Sequence, residues 1–228
     1  MTEEHGKFDP LPVVLLVLTG VTGLVDAISF LGLGRIFTAN MTGNVVFLGF
    51  ALAGAPGVST SRSLTSLLAF LVGAALGGRL GESMAAASRR RWLVTGGISE
   101  AALLLAAALG SRGFDIGSAS PPSRLYAVIV LTAMAMGLRN ATVRRLAVPD
   151  LTTTVLTLTL TGVAADSSVA GGNNPRIVRR IASVGSMLAG AAIGTLLLQR
   201  GLALPLAVSG VCVLAATAAH GAAPYTKV

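Results

Sequence analysis

Residues 38 to 55, TANMTGNVVFLGFALAGA, decide the fold. In this stretch a polar start is followed by an unusually short apolar run. PDLTTTVLTLTLTGVAA, residues 149 to 165, has the same form. The apolar segments Asn40–Ala55 and Asp150–Ala165 hold 16 residues each. As helices they would reach about 24 Å, against a hydrocarbon core of about 30 Å. We therefore expect each to be a half-helix or re-entrant hairpin that begins near Asn40 or Asp150, with extended backbone just before it.

The composition places these two short segments in a membrane protein. Of the 228 residues, 53% are hydrophobic and 11% are charged, and the mean hydropathy is +0.79. Soluble domains carry about a quarter charged residues. The sequence predicts an all-α integral membrane protein, with about six transmembrane helices and two short broken helices. The six further apolar segments are Leu11–Leu33, Leu64–Ala87, Leu93–Gly110, Leu125–Asn140, Ile177–Gln199 and Leu202–His220.

The net charge of +8, from 17 Lys and Arg against 9 Asp and Glu, does not indicate nucleic-acid binding. That function needs a basic face on a soluble module, and the apolar segments leave no room for one. The first apolar run is 23 residues long, which is too long for a signal-peptide core, so we interpret it as an uncleaved first span.

Three short segments in the first part of the chain match three later segments in the same order, which indicates two related halves, 11–110 and 122–221. We expect the linker 111–121 to join these halves within a single polytopic domain, 1–228. Chance similarity in a sequence rich in Ala, Gly and Leu is the alternative. The matches pair Gly23–Ala27 with Gly137–Ala141 at an offset of 114, Asn40–Thr42 with Asp150–Thr152 at 110, and Gly73–Gly77 with Gly190–Gly194 at 117.

Basic residues collect in cytoplasmic loops, so their distribution predicts the topology. Eight spans divide sixteen cations equally, eight inside and eight outside, and seven spans give ten against six. Six spans give eleven against five, with both termini and the loops Ser88–Arg91 and Arg139–Arg180 cytoplasmic. Three spans per half would insert the second half upside down relative to the first. Such inverted repeats with broken helices are typical of transporters.

The run from Thr19 to Gly49, with Gly137–Ala141 and Thr152–Thr154, resembles the YoaK family over nearly the whole chain. Its most specific strings are Asp-Ala-Ile-Ser-Phe and Thr-Ala-Asn-Met-Thr-Gly-Asn. The chain departs from the family pattern at Arg139, where Gln is commoner, and at Leu156-Thr157, where Thr-Gly is commoner. The resemblance implies a multi-pass protein of the bacterial inner membrane and implies no activity.

Asp26 is the first candidate binding residue, because a carboxylate deep in a span is costly unless it faces water or a partner. Thr19, Thr22, Asp26 and Ser29 follow helical spacing and form one polar stripe toward the interior. Ion or proton coupling and a purely structural role both remain open. The repeat partner of Asp26 is Asn140, so only one half can titrate.

A second set of candidates lies at the expected starts of the two short helices, where free N–H groups and the helix dipole favour anions. Plain helix capping is the alternative, and Asp150 would repel an anion. The candidates are Asn40, Thr42, Asn44, Asp150, Thr152 and Thr153.

Arg79 is the one cation expected inside a span. It could neutralise Glu82, three residues further on, or bind an anionic solute, and Glu100 is a candidate partner for it. Trp92 and Tyr126 follow basic residues at segment ends, as interfacial anchors do.

Two ridges of small residues, spaced four apart, predict close helix packing within the chain or against a second copy in a homodimer. They comprise Ala69, Gly73, Gly77 and Gly81, and Ala182, Ser186, Gly190 and Gly194.

Enzyme functions are not favoured. His5 and His220 lie near the termini, no His-Glu-x-x-His motif or Walker loop occurs, and Ser209 lies too far from His220 along the helix for a nucleophile and its base. We expect no catalytic residues, metal or cofactor. A secondary transporter of a small solute, with the anionic class and ion coupling as possibilities, is favoured over a membrane scaffold.

Overall fold

The computed structural model describes residues 10–222, in which the chain is helical apart from its connections and one isolated β-bridge between Asp115 and Ser120. Helix α1, Leu11–Ala27, continues directly into a π-helical turn, Ile28–Gly32. The other helices are α2 Met41–Leu52, α3 Thr60–Ser83, α4 Arg89–Gly110, α5 Pro122–Leu146, α6 Thr157–Ala165, α7 Ile177–Leu198 and α8 Ala203–Ala222.

Six of these helices are long and apolar enough to cross a membrane: α1 with its π-turn, α3, α4, α5, α7 and α8. Helices α2 and α6 hold only 12 and 9 residues. They are too short to provide the additional crossings that the seven-span and eight-span alternatives require. The prediction of six long helices and two short ones is confirmed for the described residues. The terminal residues in the topology prediction, including Lys7 and Lys227, lie outside them, as does His5.

The start of the first short helix was predicted correctly and that of the second was not. Helix α2 follows Asn40, whereas α6 begins at Thr157, seven residues after Asp150. Asp150 and Thr153 adopt left-handed backbone, with φ of +64° and +63°. An L-residue in this conformation cannot continue a right-handed helix, so the segment between them forms a loop.

The spanning helices pack in two similar pairs around a central pair. Helix α3 packs on α5, α1 packs on α7, and α4 packs on α8 between them. Further contacts join α4 to α5 and α1 to α8, and each short helix lies on the helix that follows it, α2 on α3 and α6 on α7. Helices α1 and α5 are the most deeply buried, while α3 and α7 expose leucines such as Leu68 and Leu188. The residues on α1 and α5 therefore occupy the interior of the bundle.

The linker between α4 and α5 is a compact turn organised by Asp115. Its carboxylate accepts hydrogen bonds from the Ser118 hydroxyl at 2.5 Å and backbone N–H at 2.9 Å, and from the Gly117 N–H at 3.3 Å. These donors lower the pKa of Asp115. Asp115 therefore stays ionised in a short loop outside the spans.

Candidate functional site

A buried ion pair between Arg139 and Glu100 lies at the centre of the bundle. Arg139 is 1% exposed and Glu100 2%, and the Arg139 Nη2 donates to the Glu100 carboxylate. The Arg139 Nη1 donates to the Leu18 carbonyl oxygen and to the Thr22 hydroxyl, both at 2.8 Å. One guanidinium therefore ties α5 to both α4 and α1.

This pair corrects two sequence predictions. Arg139 was expected in a cytoplasmic loop, but α5 continues to Leu146 and places it inside a span. Glu100 was a candidate partner for Arg79, which is instead exposed and forms no ion pair within residues 10–222. The expected pair of Arg79 with Glu82 is also wrong, because Glu82 contacts Arg145 at 3.3 Å.

Asp26 lies on α1, just before the π-turn. Its Oδ1 is buried without a hydrogen-bond partner, while the backbone N–H of Ala39 interacts with the carboxylate and Arg139 lies within electrostatic range. π-Turns inside helices occur frequently at functional sites. Asp26 thus faces the connection between α1 and α2 with part of its hydrogen-bonding capacity unused.

The polar stripe around Asp26 is otherwise satisfied by its own helix. Thr19 and Thr22 donate to the carbonyls four residues earlier, at 2.8 and 3.1 Å, and Ser29 donates to the Asp26 carbonyl at 3.2 Å. All three side chains are buried. The carboxylate of Asp26 is therefore the group on this face with hydrogen-bonding capacity to offer a ligand.

The loop before α2 is held by Asn44, in place of the expected caps. The Asn44 Oδ1 accepts from the Phe37 N–H at 2.9 Å and its Nδ2 donates to the Phe37 carbonyl. The Ser66 hydroxyl donates to the same carbonyl at 2.7 Å. Asn40 makes no side-chain cap and Thr42 is exposed. Asn44 is thus a structural clamp, while Thr38 in the clamped loop keeps a buried hydroxyl without a partner.

In the second half, different residues hold the loop before the short helix α6. The Asn140 Oδ1 accepts from the Thr154 hydroxyl at 2.7 Å, and its Nδ2 donates to the Met136 carbonyl at 2.8 Å. Thr152 donates to the Val155 carbonyl at 2.8 Å, whereas Thr153 is buried without a partner.

Asp150 lies against α7, away from the start of α6. Its carboxylate pairs with Arg176 at 2.7 Å and with Arg180 at 3.2 Å, and Arg180 also pairs with Asp166 at 2.8 Å. Asp150, Thr152 and Thr153 therefore do not lie at a helix N-terminus, which removes the basis for both the anion site and the cap that were considered there. Two arginines neutralise Asp150 and fix the loop before α6.

The ridges of small residues lie where backbones come closest. A side-chain carbon at Gly73 would collide with the Met134 carbonyl on α5, and one at Gly190 with the Gly20 carbonyl on α1. Gly77 and Gly194 lie over Leu138 and Leu24 in the same two interfaces. Gly81 lies over Trp92 and Arg145, and the Ser186 carbonyl faces Gly20. Both ridges therefore contact helices of this chain, the α3 ridge on α5 and the α7 ridge on α1.

Trp92 is not an interfacial anchor, contrary to expectation. It is 4% exposed, and its Nε1 donates to the Thr142 carbonyl at 3.1 Å. Nothing in its sequence neighbourhood, three arginines before an apolar run, distinguishes this buried role from an anchor at the bilayer surface. Within residues 10–222 no three His, Cys, Asp or Glu side chains lie close enough to hold a metal ion.

Comparison with known proteins agrees with this architecture. The profile of the family described as "Protein of unknown function (DUF1275)" matches residues 14–219. The "UPF0700 transmembrane protein YoaK" of Bacillus subtilis (strain 168) is 34% identical over 159 residues, which are 68% of this chain and 65% of that protein. The match thus spans just under two thirds of that relative, and no solved structure matches. With six helices long enough to span and a profile match over most of its length, the chain is a multi-pass membrane protein that belongs to the DUF1275 family.

Proposed function

We propose that this protein is a secondary carrier of a small solute in the inner membrane, with no catalytic step of its own. The observation that carries the proposal is the Asp26 carboxylate, which has a buried unpartnered oxygen beside a π-turn and a clamped loop. A carboxylate in this position binds a proton or a sodium ion at low cost, because either one removes the penalty of a buried charge. A membrane scaffold is the rival function, and it gives no reason for such a carboxylate.

The charges around Asp26 favour a cation as the coupling species. Arg139 and Glu100 neutralise one another, so an ionised Asp26 leaves the buried cluster with one negative charge in excess. A bound proton or sodium ion would balance that charge. The solute is then neutral, or an anion that enters together with the cation.

The carrier proposal includes an internal repeat of inverted topology, and the helix contacts support it. Contacts at the two glycine interfaces correspond atom for atom at the offsets found in the sequence, 114 for α1 with α5 and 117 for α3 with α7. A side-chain carbon at Gly137 would meet the Phe70 carbonyl, and one at Gly23 would meet the Met187 carbonyl. The same backbone partners in both interfaces favour a repeat over chance similarity of small residues.

The polar residues that contact the connections to the two short helices also correspond between the halves. Asp26 interacts with Ala39, thirteen residues further on, and Asn140 with Thr154, fourteen residues further on. In each half, therefore, a polar side chain holds the connection to the short helix. Of Asp26 and Asn140, only Asp26 can bind or release a proton.

The Asp26→Asn variant separates coupling from a structural role. We expect it to insert and fold, because the amide is nearly isosteric and Asn140 holds the matching place in the second half. We expect the melting temperature of the wild type to be higher in sodium chloride than in choline chloride, or to depend on pH. The variant should lose whichever of these two dependences the wild type shows. A site filled to a hundredfold its Kd stabilises by about 2.7 kcal/mol, which a thermal melt resolves.

Asp115→Asn is the matched control, because it removes an exposed carboxylate in the linker. It should retain the ion dependence of the wild type. An Asp26→Asn protein that is destabilised in the absence of ions, or that keeps the ion dependence, contradicts the coupling role. A wild type that responds to neither sodium nor pH favours the scaffold.

Cysteine labelling tests the orientation, which we propose has both termini in the cytoplasm. With Arg139 now inside a span, ten cations lie in the loops and helix ends assigned to the cytoplasm, and five lie in those on the opposite side. In a Cys212→Ala background, a cysteine at Ser120 should react with an impermeant maleimide in whole cells, and one at Ala86 only after lysis. We choose Ala86 because Ser88 caps α4. Equal reaction of both cysteines in whole cells would refute the topology.

A further inference from the structure

A groove of about 690 Å³ opens on the side of the bundle between α3 and α5, near the end at which both helices finish. Phe70, Ala74 and Gly78 form its apolar wall, and Trp92 lies at its base. Arg144 and Arg145 line its polar end. The groove therefore joins an apolar channel along two spans to two cations at the membrane surface.

The residues at the matching positions of the other half differ from those that line this groove. At an offset of 114, Phe30 and Leu31 stand in place of Arg144 and Arg145. At an offset of 117, Thr195 replaces Gly78 and Leu198 replaces Gly81. Leu198 packs against the π-turn that follows α1, where its side chain lies 3.4 Å from a side-chain carbon placed at Gly32. Gly78, Gly81 and the two arginines therefore have no equivalents at the matching positions of the other half.

The two arginines have capacity for an anionic ligand. Arg144 is exposed and forms no ion pair within the described residues. Arg145 contacts Glu82 at 3.3 Å, but Glu82 is 83% exposed, and such surface pairs are weak. The guanidinium of Arg145 also lies 5.9 Å from the Trp92 ring centroid, which fixes it at the mouth of the groove. Guanidinium groups bind phosphate oxygens in bidentate fashion.

We propose that this groove binds an anionic phospholipid, with the phosphate at Arg144 and Arg145 and an acyl chain along Phe70, Ala74 and Gly78. Basic pockets between spanning helices recognise lipid headgroups through this combination of charge and apolar wall. The site is separate from Asp26 and does not depend on the proposed carrier function. Loops on this face also carry the greater share of basic residues, which matches a leaflet rich in anionic lipid.

Trp92 is the single tryptophan of the chain, so its fluorescence reports on the groove directly. The protein is reconstituted into vesicles of mixed phosphatidylglycerol and phosphatidylcholine, in which one lipid or the other carries brominated acyl chains. We expect Trp92 to be quenched preferentially by brominated phosphatidylglycerol, with a relative affinity about tenfold or more over phosphatidylcholine, because two arginines contact the headgroup. Equal quenching by the two lipids would overturn the proposal.

Two variants test the two parts of the site. Arg144→Gln/Arg145→Gln should bring the relative affinity to about one, because the apolar wall alone does not distinguish headgroups. Gly78→Leu should reduce quenching by both lipids, since no atom lies within 4 Å of a side-chain carbon at Gly78 and a leucine there would occupy part of the groove. An unchanged preference in the arginine variant, or unchanged quenching in Gly78→Leu, contradicts the assignment.

Matched controls are present in the same chain. Arg89→Gln/Arg179→Gln removes two cations assigned to the same membrane face that do not line the groove, and should leave the preference intact. Gly185→Leu fills open space on α7, the counterpart of α3, and should leave the quenching intact. If Gly78→Leu instead changes the oligomeric mass and leaves lipid quenching unchanged, the groove is a contact between two copies of the chain and the lipid proposal is wrong.

Discussion

Replacing Arg139 by valine while Glu100 remains is expected to lower the free energy of unfolding by about 3 to 5 kcal/mol, because a buried carboxylate loses its partner. The variant also removes the donor to the Thr22 hydroxyl and one of the two side-chain donors to the Leu18 carbonyl. Denaturation of the purified protein in detergent, followed by circular dichroism, measures the change. Loss of less than about 1 kcal/mol would show that the pair behaves as an exposed one.

The double variant Arg139→Val/Glu100→Val should recover most of that loss. At the offset of 114, Arg139 aligns with Val25. Helices α4 and α8 align at an offset of 113, which matches Gly97 with Gly210 and Glu100 with Val213. Val25 and Val213 lie in one buried cluster, so the fold already accommodates two valines in the equivalent position. Replacement of buried ion pairs by packed apolar residues is often neutral or stabilising. A double variant as unstable as Arg139→Val would contradict this equivalence.

Alanine at Gly73 and alanine at Gly78 should have effects of opposite sign, although the two glycines lie on one helix. A methyl group at Gly73 collides with the Met134 backbone, so α3 and α5 must separate, at a cost of about 1 to 3 kcal/mol. At Gly78 no atom lies within 4 Å, and alanine should stabilise the helix by about 0.5 to 1 kcal/mol. Melting temperatures of the two variants against the wild type provide the measurement.

The second half offers the same comparison with Gly190 and Gly185. Gly190 lies over the Gly20 carbonyl, while Gly185 has open space around it. Gly190→Ala should destabilise and Gly185→Ala should not. Destabilisation at all four positions would mean that helix flexibility, and not the close approach of backbones, accounts for the glycines.

The number of spans could be predicted from the sequence because length and hydropathy decide it locally. Helix α2 also follows local rules and begins next to Asn40. The start of α6 could not be found in this way, because Asp150 looks like a capping residue but is held by Arg176 and Arg180. Those two partners lie more than 25 residues further along the chain, where no local pattern connects them to Asp150.

The Arg139–Glu100 pair was missed for a related reason. An arginine near the end of an apolar segment is assigned to a loop when basic residues are counted, and Arg139 precedes Arg144 and Arg145 closely. The sequence match at an offset of 114 held the missing signal, since it aligns Arg139 with Val25 in the first span. Asp26 was found because an acidic residue in an apolar run is conspicuous without any partner.

The distance of 39 residues between Glu100 and Arg139 has a consequence for synthesis. Glu100 leaves the ribosome ahead of the residue that neutralises it, and a lone carboxylate at a helix centre costs about 2.5 to 3.5 kcal/mol on insertion scales. We therefore expect stable integration of α4 to depend on α5, although the two helices belong to different halves. A chain truncated after Gly110 and extended by a polar spacer should integrate α4 less efficiently than one truncated after Leu146 and extended by the same spacer. The first half is thus completed by the second during biogenesis.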